Sequence, residues 1–223
     1  MMPENHKMIV FHTTKYKENS LIVHGYSDDS GRSGFLLRGG KNNKNKRALH
    51  PLSIINYISV KSLKGSLDYI KEYFPQYQLN TIRTDFNKSS IAMFISEVLY
   101  RNLLLPEKDE DMYNFLESSI LLLENTTDKF ANFHLWFLLN YCSLMGFPLE
   151  KGFQTEYNPF SDEQLSVAHI LTEYDFENSM NVPMSGASRT ELLKSLIKYI
   201  EFHTGTKLEL KSLSIFQEIN KTI

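Results

Sequence analysis

Positive charge without any acidic neighbour is the most suggestive chemistry in this chain. Between Asp29 and Asp68 there is no Asp or Glu, while Arg32, Arg38, Lys41, Lys44, Lys46, Arg47, Lys61 and Lys64 all fall inside that window. The densest part, Arg38-Gly39-Gly40-Lys41-Asn42-Asn43-Lys44-Asn45-Lys46-Arg47, combines cations with Gly and Asn. Such a segment follows a phosphate backbone, releasing a counterion for each phosphate neutralised, so binding weakens steeply with salt. The plain alternative is a solvated hairpin tip that only aids solubility. Phe35, Tyr57, Tyr69 and Tyr73 lie in or near the same window and are candidates for stacking on bases, although a core position accounts for each one singly.

Other chemistries lack their residues. Seven histidines (His6, His12, His24, His50, His134, His169, His203) are scattered, and none lies three to five residues from another, so metal-site spacing is not supported. Cys142 is the single cysteine, which excludes an intrachain disulfide and a Cys-rich zinc site. Neither a P-loop, nor HExxH, nor GxSxG occurs. The expectation is a protein that is not an enzyme and needs no metal or cofactor. His134 lies in an apolar run and reads as a core residue. The acidic cluster Glu107–Asp111 reads as helix-start charge that complements the helix dipole.

The elements that position the cations come from the strand pattern. Met8–Phe11, Ser20–Tyr26, Gly34–Arg38, Leu52–Val60 and Leu67–Phe74 are five short runs rich in β-branched and aromatic residues. Five strands in so short a stretch predict a small barrel. An OB-fold is the first choice, and an SH3-like barrel fits the count nearly as well. Pro75–Asn80 reads as a linker, after which the period changes to that of helices. Helices are expected over Asp85–Leu105, Glu110–Glu124, Asp128–Met145, Asp162–Thr172, near Phe176, over Ser188–His203 and near Leu213–Ile219. Asp85 is the expected N-cap of the first. Ser188 with Glu191 has the spacing of a capping box. The predicted fold class is α+β, with an OB-fold barrel over residues 1–78 and an all-α domain over 79–223.

Net charge sharpens when divided along the chain. The 223 residues sum to −2, but residues 1–80 hold 12 Lys+Arg against 6 Asp+Glu, and residues 81–223 hold 12 against 20. A basic module joined to an acidic one makes a polyanion the first candidate partner of the barrel. No apolar run is long enough for a membrane span or a signal peptide, so a soluble cytoplasmic protein is expected.

Short motifs in a shared order carry a resemblance. Tyr16-Lys17-Glu18-Asn19-Ser20-Leu21-Ile22-Val23, Tyr26–Gly31, Arg38-Gly39-Gly40 with its basic run, and His50-Pro51-Leu52 resemble the N-terminal part of the bacterial recombination mediator RecO family. Asn132-Phe133-His134-Leu135, Leu144-Met145-Gly146-Phe147, Ser188-Arg189, Tyr199, His203 and Leu210-Lys211-Ser212-Leu213 are similar to its helical part. The likeness is greatest to the Bacteroidetes-type branch, which lacks the four zinc-binding cysteines of many members. The resemblance implies binding of single- and double-stranded DNA and strand annealing. It also implies joint action with RecR in loading RecA onto strands coated by single-stranded-DNA-binding protein (SSB), whose C-terminal tail is a partner of the helical domain. Arg189, Lys194 and Lys198 place cations along one helix and are the candidates there for additional anion or partner contacts. The alternative is an OB-fold binder of RNA or another polyanion with a helical protein-interaction module.

Overall fold

β-branched and aromatic residues dominate the first third of the chain and give way to residues at helical spacing. The computed structural model, which describes residues 5–39, 49–62, 67–104, 106–149 and 157–220, follows that change. Strands β1 (Asn5–Tyr16), β2 (Ser20–Ser27), β3 (Gly31–Arg38), β4 (Ile54–Val60) and β5 (Tyr69–Pro75) close into a barrel in the order β1-β2-β3-β5-β4. Four of the pairings are antiparallel. The fifth, β3 with β5, is parallel through Leu36↔Tyr69 and Leu37↔Ile70. This closure is the OB-fold, which decides between the two barrels that the strand count left open.

In β1, β2 and β4 alternate residues enter different cores, as the two-residue period of a strand requires. Met8, Val10, Val23, Phe35, Leu37, Ile55, Tyr57, Ile70 and Tyr73 fill the barrel. Their neighbours Ile9, Phe11, Tyr26, Leu52 and Ile54 face outward and join the core of the helices. The backbones of β1 and β2 approach closely at Gly25, where a Cβ would stand 2.4 Å from the Ile9 carbonyl oxygen and 2.7 Å from Met8 Cγ. Only glycine fits there.

Eight helices follow among the described residues: α1 (Asn80–Thr84), α2 (Phe86–Asn102), α3 (Glu110–Asn125), α4 (Phe133–Leu144), α5 (Asp162–Glu173), α6 (Phe176–Asn181), α7 (Gly186–Thr204) and α8 (Leu213–Asn220). Apolar on nearly every side, α4 packs against α2, α3, α5, α6 and α7. It contains Cys142 and His134, both fully buried. Asp85 caps α2 by accepting the Lys88 N–H at 2.9 Å, and Asp109 caps α3 in the same way through Met112.

Three local expectations are corrected. β1 runs on from Phe11 to Tyr16, because pairing with β2 holds the polar residues that pattern alone leaves out. The stretch expected as linker ends in a helix: α1 has no side-chain N-cap of its own, and Glu124 of α3 accepts the N–H groups of Thr81 and Ile82, each at 2.9 Å. α7 begins at Gly186, capped by Ser185, which accepts the Ser188 N–H at 3.0 Å. Ser188 therefore lies within the first turn and does not cap. Among the described residues, the capping box is instead Ser161 with Gln164 at the start of α5.

Polar contacts reinforce the joint between barrel and helices. Ser96 Oγ of α2 donates to the Phe11 carbonyl at 2.6 Å, and Lys7 Nζ stands 3.4 Å from the Glu117 carboxylate of α3. The rings of His12 and His24 rest against Tyr100 of α2, with centroids 4.9 and 5.3 Å away.

Candidate nucleic-acid interface

β3 delivers its two arginines to different surroundings. Arg38 ends the strand, is exposed, and lays its guanidinium over the Tyr69 ring at 4.3 Å across the parallel β3–β5 seam. The Tyr69 phenol is held below its usual range by hydrogen bonds with Ser62 and Arg38, helped by the charges of Arg38 and Lys17. Lys17 occupies the β1–β2 turn in a left-handed conformation (φ 53°), with Nζ 5.4 Å from the ring of Tyr16, which is 40% exposed. Lys61, also exposed, follows β4 and directly precedes Ser62.

The resulting patch holds Lys17 against the Tyr16 ring and Arg38 against the Tyr69 ring, with Lys61 next in the chain to Ser62, which bonds the Tyr69 phenol. Cations that track phosphates, interleaved with aromatic faces that accept bases, are what a single strand needs from its partner. Lys41, Lys44, Lys46, Arg47 and Lys64 lie outside the described residues. In the chain, the segment with the first four follows Gly39 and the segment with Lys64 follows Ser62, so both adjoin residues of this patch.

Arg32 points elsewhere. It pairs in register with Tyr26, whose side chain belongs to the core shared with the helices, so both project on the helix side of the sheet. Its guanidinium donates to the Tyr100 carbonyl at 3.1 Å and lies 4.8 Å from the Tyr100 ring and 5.5 Å from that of Phe11. Burial lowers its affinity for a proton, as expected of a cation partly removed from water. A charge run in sequence treats all its cations alike. The fold separates this one, giving it to the joint with α2.

Among the aromatics, Phe35, Tyr57 and Tyr73 are buried in the barrel and present no face to a ligand, which leaves Tyr69. Lys17 and Tyr16 were missed in the sequence, because Glu18 interrupts their charge and they precede the acid-free window. On α7, Lys194 and Lys198 are exposed on one face, and Lys194 pairs with Glu191 at 2.8 Å. Arg189 does not join them. It is 6% exposed, on the inward face of α7, and donates to the Met184 carbonyl at 3.0 Å.

Comparison with known proteins agrees with this architecture. The family model described as "Recombination protein O N terminal" matches residues 1–75, and "Recombination protein O C terminal" matches residues 83–150. Among curated relatives, the DNA repair protein RecO of Flavobacterium psychrophilum is 30% identical over 96% of this chain and 97% of its own length. That of Flavobacterium johnsoniae is 30% identical over the same shares. That of Phocaeicola vulgatus is 30% identical over 95% of this chain and 96% of its own. With an OB-fold barrel carrying a cationic, aromatic patch, helices built onto that barrel, and similarity spanning nearly its whole length, the chain belongs to the RecO family of DNA repair proteins.

Proposed function

We propose that this protein is a non-enzymatic mediator of DNA repair and recombination. It binds single- and double-stranded DNA through the patch around Arg38 and Tyr69 together with Lys41, Lys44, Lys46, Arg47 and Lys64, and it anneals complementary strands. With RecR it helps load RecA onto strands coated by SSB, whose C-terminal tail it takes on the helical part, in the cytoplasm. The observation that carries the reading is the Arg38 guanidinium stacked on Tyr69 at 4.3 Å, with the charge of Lys17 acting on the same phenol. The −8 balance of residues 81–223 directs a polyanion to the barrel and leaves the helices for protein partners.

Fluorescence anisotropy with a labelled single strand, across a salt series, tests the DNA arm. Replacing Lys41, Lys44, Lys46 and Arg47 together by Ala should lower the slope of log K against log salt by roughly 3, at about 0.7 per phosphate contact on a single strand. Unchanged affinity and slope would remove this segment from the interface. Competition between RNA and single-stranded DNA, beside an annealing assay, separates the mediator from a general polyanion binder. A pull-down against RecR and an SSB tail peptide tests the protein arm, and binding to neither refutes the mediator role.

A further inference from the structure

At the start of β1 and the β2–β3 turn, three side chains that are far apart in sequence come together. His6, Asp28 and Asp29 each offer a ligand atom, and these atoms lie within 4.8 Å of one another. The pairing Met8↔Ser27 creates the arrangement, placing the residues before Met8 beside those after Ser27. We propose that His6, Asp28 and Asp29 form a binding site for a divalent transition-metal ion of the zinc type.

The spacing suits a shared ion. His6 Nε2 stands 3.7 Å from Asp29 Oδ2, longer than the roughly 2.7–3.2 Å of a hydrogen bond. A nitrogen and an oxygen bound to one tetrahedral ion at about 2.0–2.2 Å are about 3.4 Å apart, close to the observed separation. The carboxylates are also fixed in place. Asp29 Oδ1 accepts hydrogen bonds from the hydroxyls of Ser27, Ser30 and Tyr57, and Ser27 and Tyr57 are fully buried. Asp28 Oδ1 accepts the Lys7 N–H at 3.0 Å. In both groups one oxygen is thus held by the protein while the other is available to a ligand, which is how outer hydrogen bonds orient the carboxylates of metal sites.

Charge fits as well. Lys7, whose backbone N–H meets Asp28, directs its ammonium to Glu117 instead. One imidazole with two carboxylates suits zinc, cobalt or manganese better than magnesium or calcium, which prefer oxygen alone. Asp29 is exposed, so the outer positions of the ion are left to water. An ion here ties the first residues of β1 to the β2–β3 turn.

The test is calorimetric titration of Zn²⁺ into the chelator-treated full chain, with Mg²⁺ as control and thermal melting in parallel. One equivalent of Zn²⁺ should bind, with melting raised by about 5 °C or more at a hundredfold excess over Kd. His6→Gln and Asp28→Asn should each weaken binding about tenfold or more while leaving metal-free melting unchanged. The proposal is overturned by a lack of saturable binding below about 1 mM, or by binding that His6→Gln leaves intact. Should either variant fold poorly, the His6 ring resonances of the wild-type chain must shift on addition of Zn²⁺, and resonances that stay in place refute the site.

Discussion

Arg32→Ala and Arg38→Ala remove the same charge from the same strand, and their consequences should be opposite. Arg38 is exposed and makes its contact with Tyr69 at the surface. Its loss should lower the salt slope for a single strand by about 0.7, so affinity falls about 2.5-fold less steeply between 50 and 200 mM salt. Stability should change by less than about 0.5 kcal/mol, as for surface substitutions generally. Arg32 donates to the Tyr100 carbonyl at 3.1 Å and packs on two rings. A charged hydrogen bond contributes about 1.5–3 kcal/mol and cation–π contact about 0.5–2, while the cost of burying the guanidinium offsets part of both. A net loss of about 2 kcal/mol should lower melting by roughly 4–8 °C in a chain of this size. The salt slope should stay that of the wild type. Anisotropy over a salt series and thermal melts on both variants supply the measurements. If Arg32→Ala flattens the slope as much as Arg38→Ala and melts normally, the division of β3 between joint and interface is wrong.

Three further outcomes are expected. Gly25→Ala should cost several kcal/mol, because its Cβ meets the Ile9 carbonyl at 2.4 Å; a melting temperature within about 2 °C of wild type would contradict the close approach of β1 and β2. Glu97 accepts the backbone N–H groups of Lys211 and Ser212 at 3.0 and 2.8 Å and so holds the start of α8; Glu97→Gln should speed amide exchange in α8 by about 5- to 30-fold, and equal exchange would show that Phe216, packed on Phe94, holds the helix alone. Burial, then the charges of Arg32 and His12, lower His24 to about 4, so the folded state keeps a neutral ring where the unfolded chain takes up a proton. Its contribution is full above about pH 6.5 and is lost as pH falls toward 4, at up to about 1.4 kcal/mol per pH unit. Urea midpoints should fall over that window and fall less in His24→Gln, whereas a flat profile refutes the assignment.

The elements were legible because each had its own period. α7 repeats Leu192, Leu196 and Ile200, and α4 is apolar all round. One further signal lay in plain view. Met8-Ile9-Val10-Phe11 and Ile54-Ile55 are unbroken apolar runs, the mark of strands buried on both faces, and the structure covers one face with the barrel interior and the other with helices. Register was not legible. It assigns Arg32 to Tyr26 and the helices, and brings His6 to Asp28 and Asp29. Lys88 shows the same limit: it lies on a helix that reads as amphipathic, yet it is 3% exposed, with its ammonium donating to Thr81 Oγ1 and the Glu124 carbonyl, both at 2.8 Å. Only the neighbouring helices explain a lysine there.

The shared core also restricts where DNA can approach. A barrel standing free offers its whole outer surface, but here Ile9, Phe11, Tyr26, Leu52 and Ile54 are covered by helices, and Arg32, His12 and His24 are turned toward α2. The cations left to solvent gather near the β3–β5 seam and the β1–β2 turn, and the segments bearing Lys41–Arg47 and Lys64 leave the described chain beside Arg38 and Ser62. At 0.1 M ionic strength charges are felt over about 10 Å. On the proposed interface a strand seated on Tyr69 would be attracted by these cations, while the acidic excess of residues 81–223 would disfavour its spreading onto the helices. In the proposed interface Arg32 acts at a distance: by fastening β3 to α2 it fixes the strand whose other end presents Arg38, so that one side of β3 sets the orientation of the tip offered to a strand.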